Sequence, residues 1–339
     1  MEQKTIRLGL IGAGRIGRVH AGHLRRRLPG ADLVIVADAL ETAARACAES
    51  LEIPEHTVDF RRVTAHPRVD AVVVCSPTDT HLPVLESAAA AGKPIFCEKP
   101  LDSDLARIDQ ALAAVRRAGV LLQVGFNRRF DANFRRIRKA ITTGEIGTPH
   151  QLHIISRDPA PPPFEYVRQS GGLFSDMTIH DFDMAGFLIG DEVSRVYATG
   201  GALVDPRIAE LGDLDTATVV LEFAGGAVGV IENSRRAVYG YDQRVEVFGS
   251  GGSIRVDNNF PNTAILSHEG AVQRDLPLNF FIDRYLDSYL AEMEEFIQAV
   301  AQGRPSPVSG EEGRRATVLA LAARRSWELR QPVRVQDVG

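Results

Sequence analysis

From Thr5 to about Phe126, short apolar runs alternate with helix-length amphipathic segments, and this alternation predicts parallel strands joined by crossover helices. The strand candidates are 6–11, 33–37, 71–75, 94–97 and 121–124, dense in the apolar and β-branched residues that strands covered on both faces need. Helices are predicted over 15–28, 42–51, 80–91 and 102–117, with Gly92 and Gly119 placed to end the last two. Past Phe126 the pattern changes. A basic stretch to Ile141 carries Phe130, Phe134 and Ile137 at helical spacing, and the period then shortens towards strand over 151–157. One helix is predicted over 172–188, followed by strand-like runs at 194–199, 217–223, 227–233, 244–248, 253–256 and 264–266. Gly225-Gly226 and Gly251-Gly252 supply tight links, so neighbouring runs should be antiparallel. Helices over 285–302 and 310–330 close the chain. The expectation is an α/β chain of two domains, 1–126 and 127–339.

Composition narrows the partners. A 339-residue chain with 44% apolar and 24% charged residues can bury a substantial core, which excludes a disordered tail. The formal charge of −5 gives no global attraction to nucleic acid or anionic membranes. Cys47, Cys75 and Cys97 are odd in number and lack CxxC spacing, so no disulfide framework or zinc site is expected. Met1 to Arg7 has no apolar leader core, and no apolar run approaches the ~18 residues that span a bilayer. A soluble cytoplasmic protein is expected.

Four motifs carry candidate chemistry. Gly12-Ala13-Gly14-Arg15-Ile16-Gly17 lies between a predicted strand and a predicted helix. Gly12 would permit the tight turn, Gly14 a close approach of backbone to a pyrophosphate, and Gly17 close helix–sheet packing. Asp38 ends the second predicted strand, 21 residues beyond Gly17, where a carboxylate would bind adenosine ribose hydroxyls and repel a 2′-phosphate. The cofactor expected of this Rossmann fingerprint is NAD rather than NADP. Ser76-Pro77-Thr78-Asp79-Thr80-His81 follows the third strand, at the edge where open α/β sheets hold ligands, and Ser76, Pro77 and Thr78 are cofactor candidates. His81 is either a further cofactor residue or a surface residue of the next helix. Glu98-Lys99-Pro100 follows the fourth strand. Lys99 could stabilise a developing alkoxide beside the nicotinamide or be an ordinary surface lysine, and Glu98 before it is a cofactor candidate.

The fourth motif runs from Gly171 to Asp183. On a helix, Asp176 and His180 would share a face, and an imidazole of reference pKa about 6.5 beside a carboxylate suits proton abstraction near neutral pH. A surface hydrogen-bonded pair is the plain alternative. A metal pair is less favoured, because zinc usually needs a third strong ligand and only Asp181 and Asp183 follow. The basic stretch 127–139 is read as a solvated helix face rather than a nucleic-acid helix, with Arg128 and Arg129 best placed to reach a cleft.

Taken in order, Gly12 to Gly17, Glu98-Lys99-Pro100 and the Asp176/His180 segment resemble the Gfo/Idh/MocA oxidoreductase family over nearly the whole chain. Ser156 to Pro163 and Ser170 to Asp183 are most similar to its inositol 2-dehydrogenase branch. The resemblance implies an NAD-binding Rossmann domain. It also implies a C-terminal α+β domain whose large open, mainly antiparallel sheet makes homo-oligomer contacts in a tetramer or dimer, with the last segment able to pack back on the first domain. It implies Lys99, Asp176 and His180 as the catalytic set and a cis Lys99-Pro100 peptide. Asn127, Arg128, Asp158, Tyr239 and Tyr241 are implied to lie at the polyol. The expected activity is oxidation of a secondary hydroxyl of a cyclic polyol, foremost myo-inositol to its 2-keto product. Other inositol isomers or aldoses are the alternatives in the same class, and a non-catalytic NAD-binding polyol sensor is the alternative from another class.

Overall fold

The computed structural model describes residues 5–339; the first four residues of the charged N-terminal stretch lie outside them. The chain divides into two compact units, residues 1–127 with 287–317 and residues 128–286 with 318–339.

In the first unit the order is β1 (Ile6–Ile11), α1 (Arg15–Arg26), β2 (Ala31–Ala37), α2 (Glu41–Leu51), β3 (Glu55–Thr57), α3 (Phe60–Thr64), β4 (Ala71–Val74), α4 (His81–Ala90), β5 (Ile95–Glu98), α5 (Leu105–Ala118) and β6 (Leu122–Gly125). All six strands pair in parallel in the sheet order β3-β2-β1-β4-β5-β6, the doubly wound arrangement that the alternating pattern predicts. The strand interiors are buried on both faces, which is why their sequences are apolar runs rather than alternations. β3 is the exception. Its Glu-His-Thr sequence carries no apolar signal, and it forms as an edge strand by pairing Ile35–Ala37 with Glu55–Thr57. Residues from further along the chain complete this core: Phe296 stacks edge-on to Phe96 with centroids 5.9 Å apart, and Met293 and Ile297 are buried with it.

A 3₁₀ turn at Asn127–Phe130 leads into the second unit, which continues through α6 (Ala132–Thr142), β7 (Pro149–Arg157), α7 (Phe164–Gln169), α8 (Ile179–Ile189), β8 (Val193–Gly201), α9 (Arg207–Glu210), β9 (Thr216–Phe223), β10 (Val228–Ser234), β11 (Asp242–Gly249), β12 (Gly252–Val256), β13 (Ile265–His268) and β14 (Ala271–Arg274). The two long helices α10 (Phe281–Gln302) and α11 (Gly310–Leu329) and the short β15 (Val333–Arg334) end the chain. Seven strands form a mixed sheet in the order β12-β11-β7-β10-β9-β8-β15, antiparallel except for the β10/β7 pair. The predicted strand at 264–266 does not join it; β13 and β14 make a separate exposed hairpin. Alternation sorts the faces. Ala217, Val219, Leu221 and Phe223 of β9 are buried, whereas Val220 beside them, with Tyr197 of β8 and Phe248 of β11, is exposed on an open face.

Cys47, Cys75 and Cys97 are all buried free thiols. Among the described residues no helix is long and apolar enough to cross a membrane.

His23, buried in α1, is held near pKa 4 by desolvation, with the nearby charges of His20 and Arg27 acting in the same direction. Between its unfolded value of 6.5 and about 4, the unfolded chain binds a proton that the folded chain does not. Stability is therefore complete above pH 6.5 and falls on acidification by up to about 1.4 kcal/mol per pH unit, about 3 kcal/mol in all. His23→Gln should remove this share of the acid loss in a Tm series from pH 7 to 4. An unchanged curve would place the titration elsewhere.

Candidate active site

The turn from β1 into α1 is built around missing side chains. A Cβ on Gly17 would stand 1.9 Å from the Gly12 carbonyl oxygen, and one on Gly12, whose φ is +98°, would stand 2.4 Å from the Cys75 and Ser76 backbone. At Gly14, the N-cap of α1, there is open space instead, and Arg15 and Ile16 begin the helix. A helix N-terminus with free approach at its cap fits a pyrophosphate, through both its unpaired N–H groups and its dipole. Asp38 Oδ2 accepts from Ala13 N at 2.8 Å and Oδ1 from Leu40 N at 2.9 Å, so the carboxylate is fixed beside the glycine turn. The residues present therefore fit NAD.

Two further loops leave the same edge of the sheet. Ser76 accepts a hydroxyl bond from Thr80 at 2.7 Å; Pro77 is exposed, and Thr78 opens a short 3₁₀ turn. His81 is not on the helix surface. It is 1% exposed, with Nδ1 2.9 Å from the Pro100 carbonyl and Nε2 2.9 Å from the Ser76 carbonyl, so its ring ties the Ser76 loop to the Lys99-Pro100 loop. Burial lowers its pKa, against the pull of the carbonyls it meets. The Glu98 side chain turns into the core. There it lies 2.7 Å from His20 Nε2 and accepts from Lys99 N at 3.3 Å, in space left by Gly125, where a Cβ would come within 2.9 Å of the carboxylate. Lys99 is half-buried and the Lys99–Pro100 peptide is cis.

In the second unit the predicted 172–188 helix is two pieces. Phe174–Thr178 is a turn of π-helix, and α8 starts at Ile179. Asp176 lies in the π turn and His180 in the first turn of α8, a distortion that recurs at functional sites. The Asp176 carboxylate accepts from the Tyr166 hydroxyl at 2.9 Å on Oδ1 and from Arg235 Nη2 at 3.2 Å on Oδ2. Arg235 Nη1 also lies 4.0 Å from Asp158 Oδ2. Asp158 is pushed up to about 6, chiefly by desolvation, which outweighs the attraction of Arg235.

Three residues implied to lie at the polyol have protein partners of their own. Arg128 is buried and bound to Asp181 at 2.6 Å, with its guanidinium carbon 5.6 Å from the Tyr285 ring centre. Asp181 in turn accepts from Asn233 at 2.8 Å, so Arg128 supports the site from within. Asn127 is buried, with Nδ2 3.5 Å from Ser288 Oγ. Tyr239 donates to Asp242 at 2.6 Å and accepts from Arg157 at 3.1 Å. Tyr241 stays close to the cluster: burial raises its hydroxyl pKa, and Asp158 and Asp181 add to the effect. Arg235 and Tyr166 carry no motif in the sequence. The parallel β10/β7 pairing, which sets Ser234 against Arg157, is what brings Arg235 beside Asp158.

The family description "Oxidoreductase family, NAD-binding Rossmann fold" matches residues 6–126, and "GFO/IDH/MocA C-terminal domain" matches 134–255. The chain belongs to the Gfo/Idh/MocA oxidoreductase family. As a member of that family it is an NAD-dependent dehydrogenase. It is 49% identical to the myo-inositol 2-dehydrogenase of Thermotoga maritima over 98% of this chain and 99% of that one. A crystal structure of a probable dehydrogenase from Thermotoga maritima superposes with a TM-score of 0.97 at 48% identity, covering 98% of this chain and 100% of the other. A myo-inositol dehydrogenase from Lactobacillus casei, crystallised with NAD(H) and myo-inositol, superposes with a TM-score of 0.88 at 28% identity, covering 97% and 96%.

In this Gfo/Idh/MocA chain, Asp38→Ser removes a carboxylate that is expected to repel a 2′-phosphate. The ratio of kcat/KM for NAD over NADP should fall at least about tenfold, equivalent to ~1.4 kcal/mol. The midpoint of thermal unfolding should also drop, because Ala13 N and Leu40 N lose their acceptor. A wild-type enzyme that uses both cofactors equally would overturn the assignment of Asp38.

Proposed function

We propose that the protein oxidises myo-inositol at its axial C2 hydroxyl to 2-keto-myo-inositol (scyllo-inosose). The reading rests on the presence of Lys99, Asp176 and His180 in a chain 49% identical, end to end, to a myo-inositol 2-dehydrogenase. NAD, when bound, accepts the hydride at nicotinamide C4. In the proposed roles His180 removes the hydroxyl proton, and Asp176 orients the imidazole and favours its charged form. The Lys99 ammonium stabilises the oxygen as negative charge develops. Asp158 and Asp176 accept hydrogen bonds from the ring hydroxyls, and Tyr241 borders the same cluster. Arg128 and Arg235, the buried cations beside these carboxylates, are spent on Asp181 and on Asp176 with Asp158. That pairing favours an uncharged polyol over a sugar phosphate.

A spectrophotometric panel of inositols, inositol phosphates, aldoses and acyclic hydroxy acids tests the substrate. myo-Inositol with NAD should give the highest kcat/KM, with weaker activity on glucose. Efficient oxidation of a sugar acid, with no NADH formed from any inositol, would leave the family intact and remove the substrate assignment. Lys99→Ala and His180→Ala should each lose at least about 100-fold in kcat while NADH affinity stays near wild type. Near-native turnover in His180→Ala would remove it as the base.

We further propose a cytoplasmic homo-oligomer, tetramer or dimer, assembled through the open sheet face that carries Tyr197, Val220, Val228 and Phe248. Each of these is at least one-third exposed in the single chain. The three unpaired thiols suit a reducing compartment. Light scattering should give a multiple of 36.9 kDa, and Phe248→Glu should lower it. A monomer at micromolar concentration would refute the assembly.

A further inference from the structure

Arg235 is among the largest fully buried side chains of the chain, at 2% exposure, and the sequence gives it no motif. It stands directly after β10, with its backbone N–H bound to the Asp215 carbonyl at 2.8 Å, so its origin is fixed by the sheet. From there Nη2 reaches Asp176 at 3.2 Å and Nη1 lies 4.0 Å from Asp158, while Nε has no hydrogen-bond partner. One guanidinium thus serves two carboxylates that come from different elements, the residue after β7 and the π turn before α8. A buried cation with one free donor is costly unless its charge is needed where it stands.

We propose that Arg235 is a positioning residue for the dehydrogenase reaction: by sharing its two Nη groups between Asp176 and Asp158 it fixes the Asp176 carboxylate and holds the two carboxylates side by side. The proposal rests on the assignment of Asp176 and His180 to proton transfer. The planar fork matters, because a point charge can face one carboxylate well but not two in different directions. The groups around the pair include the Tyr166 hydroxyl on Asp176, and Arg128, Asp181 and Tyr241, whose charges or hydroxyl couple to Asp158. Arg128 is already committed to Asp181, so it does not substitute for Arg235. Without the guanidinium, two neighbouring carboxylates would repel each other, and Asp158, already raised to about 6 by burial, would take up a proton at higher pH.

Arg235→Gln and Arg235→Lys test this. Two readouts are used: steady-state kinetics across pH, and direct titration of the aspartate carboxyl carbons by NMR in the protein without substrate or cofactor, with Asp158→Asn to assign the resonance. Arg235→Gln should lose at least tenfold in kcat with NADH affinity unchanged, and the Asp158 titration should move up by about one pH unit or more. Arg235→Lys should lie between wild type and Arg235→Gln in both. If Arg235→Gln does not fold, Arg235→Lys decides alone: a lowered kcat with an upward-shifted Asp158 titration supports the role. An unmoved titration or wild-type kcat in the folded variants overturns it. Because the carboxyl titration needs neither polyol nor NAD, it still reads the charge sharing should the inositol assignment fail.

Discussion

Removing charge from water governs the second unit. Arg128, Asp181 and Arg235 are buried, and Asp158 and Asp176 are largely so, at or near the ends of β7 and β10 and the start of α8. An isolated ion at such a site would be driven to neutralise, so each position here is defined by its partner. Arg128 holds Asp181, Asn233 and Ser156 satisfy the remaining atoms, and Arg235 joins Asp176 to Asp158. The π turn at 174–178 belongs to this network as much as to the helix after it: it bears Asp176, and Thr178 within it bonds Asn233 at 2.6 Å. The π turn is therefore cross-linked to the end of β10 by side chains.

The first unit meets a different constraint, the approach of backbone to backbone. Helix α1 lies so close to the turn before it that only glycine fits at position 17, and the same crowding at Gly12 presses the turn against Cys75 and Ser76. The loops that follow β4 and β5 are then tied to each other by one imidazole, His81, which meets a carbonyl from each. Behind Lys99, the Glu98 carboxylate is anchored to His20 on α1. Lys99 is thus the half-exposed member of a loop whose neighbours on both sides are held by buried histidines, which limits the conformations its backbone can sample.

The sequence by itself determined the parallel sheet, the glycine turn and its carboxylate, the antiparallel runs of the second unit and the helices that close the chain. Each is written in local spacing: apolar runs where both faces are covered, alternation where one face is open, glycine where no Cβ fits. It also singled out Lys99, Asp176 and His180, because a motif places reactive side chains at fixed intervals along one segment. The tertiary structure alone decided what surrounds them. His81, Glu98, Asn127 and Arg128 turned inward because each met a partner distant in sequence, and Arg235 came to Asp176 only through the register of β10 on β7. Edge strand β3 formed on a segment with no apolar signal because β2 offered it a backbone ladder. Local period encodes which face of an element is buried, but the identity of a buried polar residue's partner is set by contacts dozens of residues apart, and no spacing rule carries that information.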